Sequence, residues 1–229
     1  TRKYCRFLRG STVLTMKIII TAGPTHERID SVRFISNYST GKMGFALAEV
    51  CASRGYNVVL IAGPVQQQIA HSNVKRIDVE SAQEMYTAVM ENYPTCDGAI
   101  LCAAVADFTP TTVASHKLKR GTDHLILELK PTQDIAATVG KLKSNKQFLV
   151  GFALETNNEE ANAVEKMRRK NFDFIVLNSL NDKNAGFGYD TNKITIFDAH
   201  GSKTAFPLKD KKMVAEDIIN HLENNLLCR

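Results

Sequence analysis

Long apolar runs are missing from this chain of 229 residues, and no stretch approaches the roughly 20 apolar residues that a membrane-spanning helix needs. No membrane segment is therefore expected. The opening fifteen residues are basic but lack the continuous apolar core of a secretion signal. Cysteine is scarce and unpaired in pattern: Cys5, Cys51, Cys96, Cys102 and Cys228 are odd in number, contain no CxxC pair and have no histidine at zinc-ligand spacing. That usage argues against a disulfide scaffold and places the chain in a reducing, cytoplasmic compartment. Strong charge of one sign is also missing. The formal net charge is +5, and Arg2, Lys3, Arg6 and Arg9 supply all but one unit of it, so the remainder carries no basic face of the kind that grips nucleic acid. Internal repeats and low-complexity tracts are absent.

What the chain does have is an ordinary globular composition, 44% apolar and 23% charged, enough to bury a core. Short apolar runs rich in β-branched residues fall at 17–21, 57–61, 97–103, 148–152 and 173–177 and read as strands. Helical patterns lie between them. Residues 41–54 place Met43, Leu47, Val50 and Cys51 on one face, Ser81 and Glu84 have capping-box spacing, another helix starts near Asn157, and a last one runs from Asp210. The alternation predicts a parallel sheet covered by helices. Residues 117–129 alternate around Gly121-Thr122-Asp123, and residues 192–207 alternate around Ala199-His200-Gly201. The expected fold is α/β, a three-layer Rossmann-like parallel sheet with an antiparallel flap and a C-terminal hairpin. Residues 1–15 read as a leader or linker and 16–229 as a single domain.

Five segments could carry chemistry. Thr21-Ala22-Gly23-Pro24-Thr25 follows the first strand, where a parallel sheet opens its ligand crevice, and reads either as a binding loop or as a plain turn. The segment 32–44, VRFISNYSTGKMG, runs into a helix whose N-terminal amides could bind an anion, with Ser39 or Thr40 as a simple N-cap in the other reading. It is not a P-loop, because Met follows Gly-Lys where Ser or Thr would hold magnesium. In Cys102-Ala103-Ala104-Val105-Ala106-Asp107-Phe108, small residues leave room for a ligand beside a carboxylate, or merely pack closely while Asp107 caps a turn. The cluster Lys117-Leu118-Lys119-Arg120 is a solvated charge run or a phosphate clamp. Lys166 and Lys170 share one helix face and are surface lysines or a second clamp.

Taken in order, ITAGPT with Ile29-Asp30, VRFISNYSTGKMG, AAVADF, KLKR, GFALETN at 151–157 and the Lys166/Lys170 pair resemble phosphopantothenoylcysteine synthetase, in its bacterial, CTP-dependent form. The resemblance implies a ligase of coenzyme A biosynthesis that joins 4′-phosphopantothenate to cysteine through an acyl-cytidylate, with magnesium as cofactor, as a cytoplasmic homodimer without membrane or nucleic-acid partners. It implies that Asn37 and Lys117 are catalytic. Nucleotide binding falls by the same resemblance to Gly23, Ser39, Gly41, Gly44, Cys102, Ala103, Asp107, Lys117, Gln133, Asp134, Ile135, Ala136, Phe152, Lys166, Lys170 and Asn178. Phosphopantothenate falls to Asn37, Ala103, Ala104 and Asp107, with Arg33 reaching over from the other subunit, and Asp107 is the implied metal ligand.

The chain departs from the family pattern at Pro131 and Gln133, where lysine and proline are usual, and at Arg120, which closes the lysine cluster with a different geometry. Two other classes fit an α/β sheet: a nicotinamide-dependent reductase and a nucleotide sensor without turnover. The reductase wants an acidic residue after the second strand, and Ile61-Ala62-Gly63-Pro64 offers none.

Overall fold

The computed structural model describes residues 8–9 and 12–13 by their backbone, and 15–122, 124–179 and 186–227 in full. The leader reading and Asp123 of the flap turn thus fall largely outside the described residues. Eight strands form the main sheet: β1 Lys17–Ala22, β2 Asn57–Ala62, β3 Val74–Asp78, β4 Gly98–Leu101, β5 Phe148–Glu155, β6 Phe174–Ser179, β7 Ile194–Asp198 and β8 Lys203–Ala205. Their spatial order is β3-β2-β1-β4-β5-β6-β7-β8. Pairing is parallel from β3 through β6 and antiparallel for β7 and β8. The sheet reverses winding direction between β1 and β4, which is where such sheets open a crevice beyond their carboxyl ends.

The strands are apolar on both faces because helices cover both. Ile18, Ile20, Val58 and Leu60 face one layer, where α1 (Lys42–Ser53) and α5 (Lys211–Leu222) pack. Ile19, Val59 and Ile61 face the other, built on α2 (Ala82–Asn92), α3 (Ile135–Leu142) and α4 (Glu159–Arg169). Ile18, Ile19 and Ile20 are fully buried, and each such side chain contributes about 1.5–3 kcal/mol of transfer free energy. After Lys17 nothing polar interrupts β1 until Thr21, which accepts a hydrogen bond from the Ala103 amide across the crevice floor.

Local signals behave largely as their chemistry requires. Ser81 and Glu84 close both halves of the capping box at the start of α2. Asp210 caps α5 by accepting from the Lys212 amide. Gly201, at φ 87, turns the hairpin between β7 and β8 in the left-handed region open to glycine. The expected strand at 97–103 is shorter, ending at Leu101, because the following residues turn into the crevice. The flap also differs from expectation. Its antiparallel pairing joins Phe108–Pro110 to Leu129–Pro131, and the described residues of 117–127 form no ladder. Alternation there has no face to bury, since Lys117, Lys119 and Arg120 are exposed and Ile126 is 88% exposed, so nothing selects a register. Among the described residues no helix is long and apolar enough to cross a membrane.

Candidate active site

The crevice is a cleft of about 300 Å³ beyond the carboxyl ends of β1, β4, β5 and β6. One wall is the loop after β1 and the start of α1. Gly23 and Gly41 both sit at positive φ, 79 and 77, and a side chain at either would press on Val65. Gly44 has a different reason to be glycine: a Cβ there would lie 2.5 Å from that of Ala22, so its absence lets α1 settle on β1. Gly41 itself is the N-cap of α1, with no side-chain cap bond. Ser39 and Thr40 are therefore not N-caps in the expected sense, and the first-turn amides of α1 open on the cleft with the positive end of the helix dipole behind them.

The opposite wall is the turn after β4. Pro24 and Ala104 form an isolated parallel bridge, and the Ala104 amide donates to the Gly23 carbonyl at 2.9 Å, which locks the two loops together. The Asn37 amide donates to the Ala104 carbonyl, also at 2.9 Å, and its second N–H has no partner among the described residues. Thr25 accepts from the Ala106 amide, and Thr132 donates to the Ala106 carbonyl at 2.7 Å, so the chain entering α3 is fastened beside Asp107. Cys102 lies in the cleft lining and packs against the apolar core, and burial pushes its thiol pKa up to about 12, leaving it neutral.

The deep end comes from β5, β6 and α4. Lys166 donates to the Phe152 carbonyl at 2.9 Å, and burial, then the nearby Lys170, lowers its pKa from the usual lysine value. Asn178 accepts from the buried Asn192 at 3.1 Å. Of the residues singled out from sequence, the cleft gathers Gly23, Asn37, Ser39, Gly41, Gly44, Cys102, Ala103, Ala104, Asp107, Phe152, Lys166 and Asn178.

The others lie outside its lining. Lys170 is paired with Asp134, which also caps α3 through the Ala137 amide. Burial would raise the Asp134 pKa, yet the Ala137 amide and Lys170 together hold it below the usual carboxylate value. Gln133, Ile135 and Ala136 flank that cap at the start of α3. Lys117 is exposed on the flap. Arg33 folds back on Asp30 and donates to the Leu118 carbonyl at 2.6 Å. The side chain of Asp30 is 0% exposed and takes the amides of Val32, Arg33 and Leu118. Burial acts to raise its pKa, but Arg33 and those amides outweigh this and hold it well below the carboxylate range. Sequence reasoning missed Lys42, Asn192 and Lys211 in the cleft wall. Lys42 sits inside the 32–44 segment already singled out, whereas Asn192 and Lys211 come from the C-terminal third and only the fold brings them to the cleft.

Comparison with known proteins places this architecture. The family model described as the DNA/pantothenate metabolism flavoprotein C-terminal domain matches residues 13–226. The chain belongs to this family. Among its family relatives, the Coenzyme A biosynthesis bifunctional protein CoaBC of Bacillus subtilis is 46% identical over 205 residues, covering 90% of this chain and 50% of that protein. A Cysteine/Cysteine sulfinic acid decarboxylase of an unknown prokaryotic organism is 53% identical, covering 90% of this chain and 57% of its own length. The chain thus spans about half the length of the curated relatives it matches. A crystal structure of the C-terminal domain of CoaBC superposes with a TM-score of 0.79 at 40% identity, covering 93% of this chain and 97% of that one. Cab2, solved with phosphopantothenate-cysteine, shares the fold at a TM-score of 0.72 and 16% identity.

Proposed function

We propose that this chain is a phosphopantothenate–cysteine ligase, making 4′-phosphopantothenoylcysteine for coenzyme A biosynthesis in the cytoplasm with CTP as the activating nucleotide. The carboxylate of phosphopantothenate attacks the α-phosphate and releases pyrophosphate. The amine of cysteine then attacks the acyl carbon and releases CMP. A free carboxylate has no good leaving group, and the mixed anhydride supplies one.

The observation that carries this reading is the single cleft in which the uncapped amides of α1 and the amide of Asn37 meet. Amides at a helix N-terminus hold phosphate, and Ser39, Gly41, Gly44 and Gly23 line the cleft beside them. The free N–H of Asn37 donates to the acyl oxygen as negative charge gathers there in the second step, while its other N–H stays anchored on Ala104. Phe152 and Asn178 border the nucleoside and Lys166 offsets phosphate charge. Ala103, Ala104 and Asp107 border the phosphopantothenate side. Lys117 closes over the triphosphate from the flap and shields the anhydride from water.

The donor set suits magnesium arriving with the nucleotide. Asp107 is the one carboxylate of the cleft lining, and no cluster of three metal-binding side chains occurs among the described residues. Magnesium commonly takes one or two carboxylates, with substrate phosphate oxygens and water completing its shell. When bound, it supplies charge neutralisation of the phosphates. The exposed apolar side chains Val32, Phe34, Tyr38 and Phe108, two of them on the short strands Phe34–Ser36 and Phe108–Pro110 that both pack on His26–Arg28, suit a homodimer in which Arg33 serves the neighbouring cleft. The test is pyrophosphate release with phosphopantothenate, magnesium and either CTP or ATP, followed by capture with cysteine. Release with CTP exceeding that with ATP is expected, and release with neither ends the reading.

A further inference from the structure

Two cationic residues in the cleft wall have no role in the reading so far. Lys211 opens α5 and is only 8% exposed. Its ammonium donates to the carbonyls of Gly186 at 3.0 Å and Tyr189 at 2.5 Å, and no carboxylate pairs with it among the described residues. A buried cation held only by neutral carbonyls keeps one N–H unused and most of its charge uncompensated. Burial, then the neighbouring Lys42, lowers its affinity for the proton, and the nearby Asp190 and Asp210 offset this only in part. Lys42 follows Gly41 at the first position of α1, and its ammonium meets Asp190 at 2.5 Å, a carboxylate 77% exposed to solvent. Such an exposed pair is worth little and exchanges readily for a better anion.

Position adds the second argument. Lys42 and Lys211 line both the cleft and an outer groove of about 440 Å³, whose other residues include the carboxylates Glu49, Asp190 and Asp210 beside His71 and Lys212. They are thus the partition between the two, with the uncapped turn of α1 on the inner side. We propose that Lys42 and Lys211, with the first-turn amides of α1, seat the two terminal phosphates of the nucleotide, the pair that departs as pyrophosphate. Lys42 trades Asp190 for phosphate when the nucleotide binds. The identity of the anion rests on the ligase reading; the existence of the seat does not.

Calorimetric titration with inorganic pyrophosphate and magnesium tests the seat without requiring turnover. The unmodified chain should bind, and Lys211→Met should bind about tenfold more weakly, as expected for loss of a charge-assisted contact. Lys42→Ala removes only an exposed pair, keeps the fold, and should weaken binding at least about threefold. It carries the test alone if Lys211→Met does not fold. In steady state the same variants should raise KM for the nucleotide while leaving KM for phosphopantothenate within about twofold. A shift in the phosphopantothenate KM instead would assign the lysines to the other substrate's phosphate and overturn the proposal. So would unaltered pyrophosphate binding in the variants, or none in the unmodified chain. Failure of the ligase reading would show separately, as absent pyrophosphate release by an unmodified chain that still binds pyrophosphate.

Discussion

The cleft and the flap hold the two halves of the proposed chemistry, and they are built in opposite ways. The cleft wall is fixed by backbone: the Pro24–Ala104 bridge, the Gly23 and Ala104 pairing and the anchored amide of Asn37 tie it to buried strands. The flap is a run of exposed side chains above a three-residue antiparallel pair, tethered through Leu118 to Asp30 and Arg33. A group on the cleft wall is ready before the ligand arrives, whereas a group on the flap must be brought in, and ordering it costs conformational freedom.

Substitutions can break that contrast. The largest effect belongs to the cleft. Asn37→Asp should lower overall turnover by about a hundredfold or more, since an acceptor replaces the donor at the developing oxyanion. Pyrophosphate release in a single turnover should survive, so a burst without product is the expected signature; equal loss of both steps would move Asn37 out of the second step. Next comes Lys117→Ala, expected to lower kcat/KM for the nucleotide by about tenfold while unfolding stability stays within about 0.5 kcal/mol, because the side chain is exposed. A matching drop in stability would mean that the flap is packed and not poised.

The smallest effect is the pH dependence of the tether. The pKa of Asp30 is depressed in the folded chain, so its contribution is complete above its ordinary value of 3.8 and is lost as pH falls from there toward the folded value. Limited proteolysis within 111–128 should therefore accelerate several-fold below about pH 4 in the unmodified chain. Asp30→Asn should cut at the faster rate at neutral pH already. If its cleavage matched the unmodified chain, the flap would be held by something other than Asp30.

The same contrast explains what could be read from sequence. Strand positions were legible because a buried parallel strand must be apolar on both faces, as Ile18 to Ile20 are. The capping box of α2 was legible because its bonds are local, and the cleft residues of the loops after β1 and β4 followed from where those strands end. The N-cap of α1 was not: Ser39, Thr40 and Gly41 all suit that position, and packing of Gly41 against Gly23 and Val65 decides among them. Lys42 meeting Asp190 and Lys166 meeting the Phe152 carbonyl depend on how distant segments return to one crevice. Lys170 was expected to share a helix face with Lys166, but it is the C-cap of α4 and spends its charge on Asp134, a partner that no spacing rule supplies.

Cys102 gives the proposed reaction a safeguard. A ligase that prepares an acyl group for cysteine exposes that group to any thiolate nearby, and self-acylation would trap the enzyme as a thioester. Buried against the core and kept protonated, the thiol of Cys102 is inert although the residue lines the cleft. The activated acyl group is then left for the amine of the incoming amino acid.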